Sequence, residues 1–289
     1  MRRVVITGIG AITPLANNFH DSWRLIRNGS NGINFITRFN VNSLKWKVAG
    51  ELKGFQPDLF LTNKEILKLD PFVHYAVASS IMATNDAGFL NNSQSEILST
   101  AGIIIGSSRG GITTIEKELS RLQSLNSKIS SYLMPSTTIS MAASYTAQKL
   151  KIRGNCLGIS NACASGTNAI GEAYRLIKFG LADIVLAGGT EAPICRLCIE
   201  GYGVSGALSK KNDLSASRPF DMFRDGFVIA EGACILVLEE MQSAIKRKAN
   251  IYAEIIGYSN TTDAFHIIQP DPSGEARAII NALKDANLR

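Results

Sequence analysis

Four short runs, at residues 4–6, 102–105, 184–187 and 234–238, are apolar without a polar break. A strand that faces water on one side alternates apolar and polar positions, whereas a strand covered on both faces does not. These runs therefore predict buried strands that need a covering layer on each side. The stretches between them supply it. Residues 70–88 place Val73, Ala76, Val77, Ser80, Ile81 and Thr84 at helical spacing and stop at Gly88. Ile170, Ala173, Tyr174 and Ile177 form a second helical face, closed by Gly180. Strands separated by helices predict an α/β fold, with a largely parallel sheet covered on both faces.

Composition narrows the class. The chain has 289 residues, 45% apolar and 19% charged, which suits a buried core rather than disorder. No apolar run is long enough for a membrane span, and the run after Arg3 is too short for a signal peptide. The net charge of +6 fits an acidic partner only mildly, and no basic cluster interleaves with aromatics, so nucleic acid is not the expected partner. The five cysteines, an odd number without a secretory signal, fit a reduced cytoplasmic compartment. Residues 28–63 and 123–136 are rich in turn formers and predict irregular surface segments. A strand at 252–258 and a helix at 274–287 are expected beyond them.

The chemistry concentrates at Gly158-Ile159-Ser160-Asn161-Ala162-Cys163-Ala164-Ser165-Gly166-Thr167-Asn168-Ala169, which joins a strand at 156–159 to the second helix. Small residues flank Cys163, so the backbone can bend sharply there and leave the sulfur open. A cysteine at a helix start meets unpaired N–H groups, which favour thiolate and can hold a developing oxyanion. This is the logic of a nucleophile elbow built with sulfur. The bland alternative is a small buried packing residue. Cys156 and Cys234 fall in apolar strand patterns and read as core. Cys195-Arg196-Leu197-Cys198 has CxxC spacing, but without a second pair or a nearby histidine it reads as two ordinary thiols rather than a metal site. Gly8-Ile9-Gly10 lacks the third glycine of a dinucleotide fingerprint, so no cofactor is expected.

The block Asn161–Gly171 closely resembles the active-site signature of the elongating type II β-ketoacyl-acyl-carrier-protein synthases. Arg3-Val4-Val5-Ile6-Thr7-Gly8-Ile9-Gly10, Pro135-Ser136-Thr137, Ala187-Gly188-Gly189-Thr190-Glu191, Ser217-Arg218-Pro219-Phe220-Asp221, Arg224-Asp225-Gly226-Phe227-Val228 and Glu231-Gly232-Ala233 match in the same order. The resemblance implies a thiolase-like layered αβαβα fold, with the first half complete (residues 1–250) and the second only begun (251–289). It implies acyl transfer to Cys163, whose own N–H joins the oxyanion hole, and then decarboxylative Claisen condensation with malonyl-carrier protein. It places Arg109, His266 and Ile268 at the substrate and Lys64 and Lys68 at the acyl carrier protein. It also implies a homodimer in fatty acid biosynthesis.

The departures matter equally. The family's two decarboxylating histidines sit in motifs absent here; His20, His74 and His266 are the only histidines. The chain alone is therefore expected to be incomplete for condensation. The alternative reading is a non-catalytic remnant, or one half of a split enzyme that pairs with a complementary C-terminal polypeptide. Arg109 replaces an apolar residue at the acyl pocket, and a buried guanidinium there needs a partner or an outlet to solvent. Ile268 and Gln269 replace hydroxyl residues that bind the pantetheine arm in some relatives, and Gly206 replaces a basic residue that some relatives offer to the carrier protein.

Overall fold

The computed structural model describes residues 1–89, 95–123 and 128–288. Its strands are β1 (Val4–Ile12), β2 (Asn34–Phe35), β3 (Val48–Ala49), β4 (Gly102–Gly106), β5 (Cys156–Ile159), β6 (Ile184–Glu191), β7 (Gly232–Glu240) and β8 (Ala253–Ile255). Its helices are α1 (Phe19–Arg27), α2 (Asn63–Lys68), α3 (Pro71–Asp86), α4 (Ser95–Ser99), α5 (Ile112–Leu122), α6 (Leu133–Thr137), α7 (Met141–Leu150), α8 (Ser165–Lys178), α9 (Arg196–Val204), α10 (Met241–Lys246) and α11 (Pro272–Asp285). Six strands make one sheet in the order β5-β4-β6-β7-β1-β8, while β2 and β3 pair apart from it.

The expected layering is present, but the largely parallel sheet is not. β5, β4 and β6 are parallel, whereas β6–β7, β7–β1 and β1–β8 are antiparallel. A central strand covered on both faces is continuously apolar in either direction, so composition carries no information on polarity. The two faces are separated residue by residue. Ile103 and Ile105 point into a core with Phe72, Val73 and Ala143, and Ile104 points into one with Ala169, Ala173 and Ile177. Each such isoleucine, fully buried, stabilises the fold by about 2 kcal/mol before entropy is subtracted.

α3 runs as its pattern predicts. Asp70 caps it by accepting from the Phe72 amide, Pro71 follows at the first helical position, and Gly88 leaves it with φ +79°. α3 lies almost on β1. A Cβ at Gly10 would fall 1.9 Å from the Ser79 carbonyl oxygen, and one at Gly8 would fall 2.3 Å from that of Ala83. The Gly8-Ile9-Gly10 motif is thus explained by close packing. The irregular 123–136 segment contains part of α6, and the strand expected at 252–258 shortens to β8. The segment after β8 docks on α8: Lys178 pairs with Asp285 at 2.7 Å, and the Tyr258 ring occupies the place a side chain at Gly171 would take. Among the described residues no helix is long and apolar enough to cross a membrane.

Candidate active site

Cys163 lies on the bend between β5 and α8, two residues before the helix begins, and its side chain is exposed. The bend is tight because Ala162 adopts φ +45°, a left-handed conformation that costs a residue with a Cβ about 1 kcal/mol. Ser165 secures the bend: its hydroxyl donates to the Ala162 carbonyl at 2.6 Å and accepts from the Asn161 amide at 2.8 Å. Ala164 and Ser165 amides are satisfied by Asn161 and Ala162 carbonyls, whereas the Cys163 amide donates to no group among the described residues.

Glycines seat this helix start on the sheet. Gly106, Gly189 and Cys234 stand side by side across β4, β6 and β7. A Cβ at Gly106 would come within 2.3 Å of the Ser165 backbone, and one at Gly189 within 3.1 Å of the Gly166 Cα. The nucleophile bend therefore rests directly on the ends of two strands.

Above that row opens a cavity of about 630 Å³ that includes Cys163, Cys234, Arg109, Glu191, Tyr202 and Glu231 in its lining. Cys234, expected in the core, faces this space instead, because the glycine beside it leaves the helix start one strand away; the surrounding protein still raises its thiol pKa. Cys156 is likewise exposed rather than core, on the edge strand β5. Arg109 avoids an isolated burial: it is exposed, its Nε donates to the Tyr202 hydroxyl at 2.8 Å, and its guanidinium lies 5.4 Å from that ring. Two carboxylates, one half-buried and one buried, shape the walls. Glu191, at the end of β6, accepts from the Ser108 and Arg109 amides and from the Ser107 hydroxyl; burial raises its pKa and these donors oppose the rise. Glu231 accepts from Arg38, from the Tyr75 hydroxyl at 3.1 Å and from the Leu52 amide at 2.8 Å. Neither role was read from the sequence. The available signal was an acidic residue closing or opening an apolar strand.

The other expected residues scatter. His266 borders a separate hollow of about 590 Å³ beside Asn161 and Ala164, with its Nδ1 accepting from the Ile268 and Gln269 amides. Ile268 is 78% exposed and lines neither space, so the structure does not bring it to the site. Lys64 is exposed on α2, but Lys68 donates to the Tyr132 hydroxyl at 2.6 Å and lies 4.1 Å from that ring centroid.

His74 is buried inside α3, away from Cys163's cavity, and its Nε2 has no hydrogen-bond partner. Burial pulls its pKa from 6.5 down to about 4, against the nearby Ile66 and Leu69 carbonyls. The sign of the pH effect follows. As pH falls below 6.5 the unfolded chain takes up a proton that the folded chain refuses, so stability present above 6.5 is lost on the way to 4. The full loss approaches about 3 kcal/mol. Urea midpoints followed across that range are expected to fall in the parent and to fall less in His74→Gln.

The family model described as "Beta-ketoacyl synthase, N-terminal domain" matches residues 1–244. This chain belongs to the β-ketoacyl synthase family. The synthase is 43% identical over 295 residues to 3-oxoacyl-[acyl-carrier-protein] synthase 2 of Synechocystis sp., covering 100% of this chain and 70% of that protein. A β-ketoacyl synthase structure from Burkholderia phymatum aligns at 34% identity with a TM-score of 0.89, over 100% of this chain and 71% of that one. A type II polyketide ketosynthase bound to its acyl-carrier protein and the hexaketide aligns at 32% identity with a TM-score of 0.85, with coverages of 100% and 71%. The thiolase-like layering of the family accounts for the six-stranded sheet of this synthase and the helices on its two faces.

Proposed function

We propose that this chain takes an acyl group from the phosphopantetheine arm of an acyl carrier protein onto Cys163, the first half-reaction of a 3-oxoacyl-carrier-protein synthase. The observation that carries this reading is the exposed sulfur on a left-handed bend at the head of α8, opening into a cavity large enough for an acyl chain. In the step, the Cys163 sulfur attacks the thioester carbonyl carbon. The carbonyl oxygen gains charge and accepts from the uncommitted Cys163 amide. The carbon–sulfur bond to the carrier then breaks, and the carrier thiol leaves with a proton.

Condensation asks for more. Decarboxylation of a malonyl thioester builds charge on an enolate oxygen, which needs paired donors. No histidine lines the cavity that holds Cys163. The second half-reaction is therefore assigned to this chain acting with a complementary C-terminal polypeptide segment that brings such donors. On this reading residues 1–250 form the nucleophile half and 251–289 begin the second. The arginine at the cavity admits acyl chains that leave room for the Arg109–Tyr202 pair. An acidic carrier is drawn to the basic chain near Lys64 and Lys68. β5 ends the sheet with an exposed edge, which supports pairing with a second copy. Unpaired cysteines support a reduced, cytoplasmic setting.

Incubation with an acyl-carrier donor or with cerulenin, read by intact mass, is expected to add one adduct to Cys163. Cys163→Ser should take none. A folded parent chain that stays unlabelled would overturn the reading.

A further inference from the structure

We propose that the cavity at Cys163 selects acyl chains that end in a carboxylate, and that Arg109 reads that end. The inference rests on the acylation of Cys163 proposed above. Arg109 is the one cation among the residues lining this cavity. Of its side-chain nitrogens only Nε donates, to the Tyr202 hydroxyl at 2.8 Å, and no carboxylate among the described residues pairs with it. The guanidinium is nevertheless held. Its central carbon lies 5.4 Å from the centroid of the Tyr202 ring, and that ring packs edge-on against Phe227 with centroids 5.7 Å apart. Both rings line the same cavity. One hydrogen bond and one ring contact thus restrict the guanidinium and leave its two terminal nitrogens as open donors. A carboxylate meets such a fork with two parallel hydrogen bonds.

The other charges of the cavity do not fill this role. Glu231 is paired with Arg38. Glu191 spends its oxygens on the Ser107 hydroxyl and on the Ser108 and Arg109 amides, not on the guanidinium. The rest of the lining suits the body of the chain, since Ile12, Pro193, Val228, Ile229 and Ala233 offer apolar contact to methylenes. An alkyl end at Arg109 takes water from the guanidinium and returns no acceptor, which costs free energy. A carboxylate end returns two acceptors. Two effects limit the gain: Arg109 is exposed, and the Glu191 charge already acts on it through space. The expected preference is therefore about tenfold rather than the larger factor of an enclosed pair.

The test compares charge at constant shape. Succinyl-, glutaryl- and adipoyl-pantetheine are each set against the acyl-pantetheine in which an isopropyl end replaces the carboxylate. Acylation of Cys163 in the folded chain is followed by intact mass, and the rate with each acid is divided by the rate with its isopropyl counterpart. For at least one length the ratio is expected to reach about tenfold in the parent and to shrink in molar sodium chloride. In Arg109→Met it is expected to drop below one. Arg109→Lys keeps the charge without the fork, so its ratio should lie between the two. A ratio near one at every length in the parent overturns the proposal and leaves acylation of Cys163 standing. A preference that survives intact in Arg109→Met also overturns it, because the attraction would then come from the basic chain as a whole. Failure of all these thioesters to label the folded chain sinks the acylation reading, and this inference with it.

Discussion

Gly106→Ala is expected to destabilise the fold by at least about 3 kcal/mol and to slow acylation of Cys163 on the order of 100-fold. The added methyl would sit 2.3 Å from the carbonyl carbon and oxygen of Ser165. These are backbone atoms at the start of α8, so no side-chain rotation relieves the clash. Either β4 or the helix start must shift. β4 is held by parallel partners on both sides, β5 and β6, and buries Ile103, Ile104 and Ile105 completely. The helix start is the softer of the two. Moving it displaces Ser165, whose hydroxyl holds the Ala162 bend, and with it the sulfur. Gly201→Ala is the matched control. It lies in α9 with open space around its Cβ position, so the same chemical change should stabilise by roughly 0.5–1 kcal/mol. Urea unfolding and the rate of thioester formation on the folded fraction check both halves. If Gly106→Ala acylates like the parent, the strand end does not position Cys163.

The contrast shows which parts of this molecule the sequence exposes. The bend at Cys163 was legible because only small residues permit it, and they cluster visibly at 162–166. The buried strands and α3 were legible because burial on both faces or on a helical stripe writes a period into the chain. Strand polarity was not, since β7 and β6 look alike as apolar runs and differ only in how the intervening segment returns. Cys234 was misread for a related reason. Its run is apolar, yet its neighbour across the sheet is Gly189, and the missing side chain leaves the thiol facing a cavity. Ile268 was placed by resemblance to a position, but the His266 turn sends it to solvent. The two carboxylates of the cavity wall escaped notice because their meaning depends on partners distant in the chain. Glu191 answers to residues 107–109, and Glu231 to Arg38, Tyr75 and Leu52.

That last dependence sets the second large effect, in which Glu231→Ala is expected to cost about 3–5 kcal/mol. The Glu231 side chain is fully enclosed, and its carboxylate receives three donors. Its removal leaves the Arg38 side chain, 32% exposed, without the carboxylate paired to it that offsets its desolvation. Tyr75, in the same network, loses an acceptor in the interior. Glu51 replaces it only in part: its charge also acts on Arg38, but its oxygens accept from the Thr37 and Arg38 amides rather than from the guanidinium. A change confined to the ion pair should therefore be recoverable by removing the stranded charge as well. Arg38→Met combined with Glu231→Leu is expected to regain most of the loss, since apolar pairs of similar volume replace buried ion pairs with little penalty. A double-mutant cycle in urea measures this coupling directly. The cost also reaches the site. The Glu231 amide donates to the Gly50 carbonyl, and the Gly50 amide donates to that of Ile229, so the network fixes one wall of the Cys163 cavity. If Glu231→Ala unfolds at the parent's urea midpoint, the carboxylate is not what holds that wall in place.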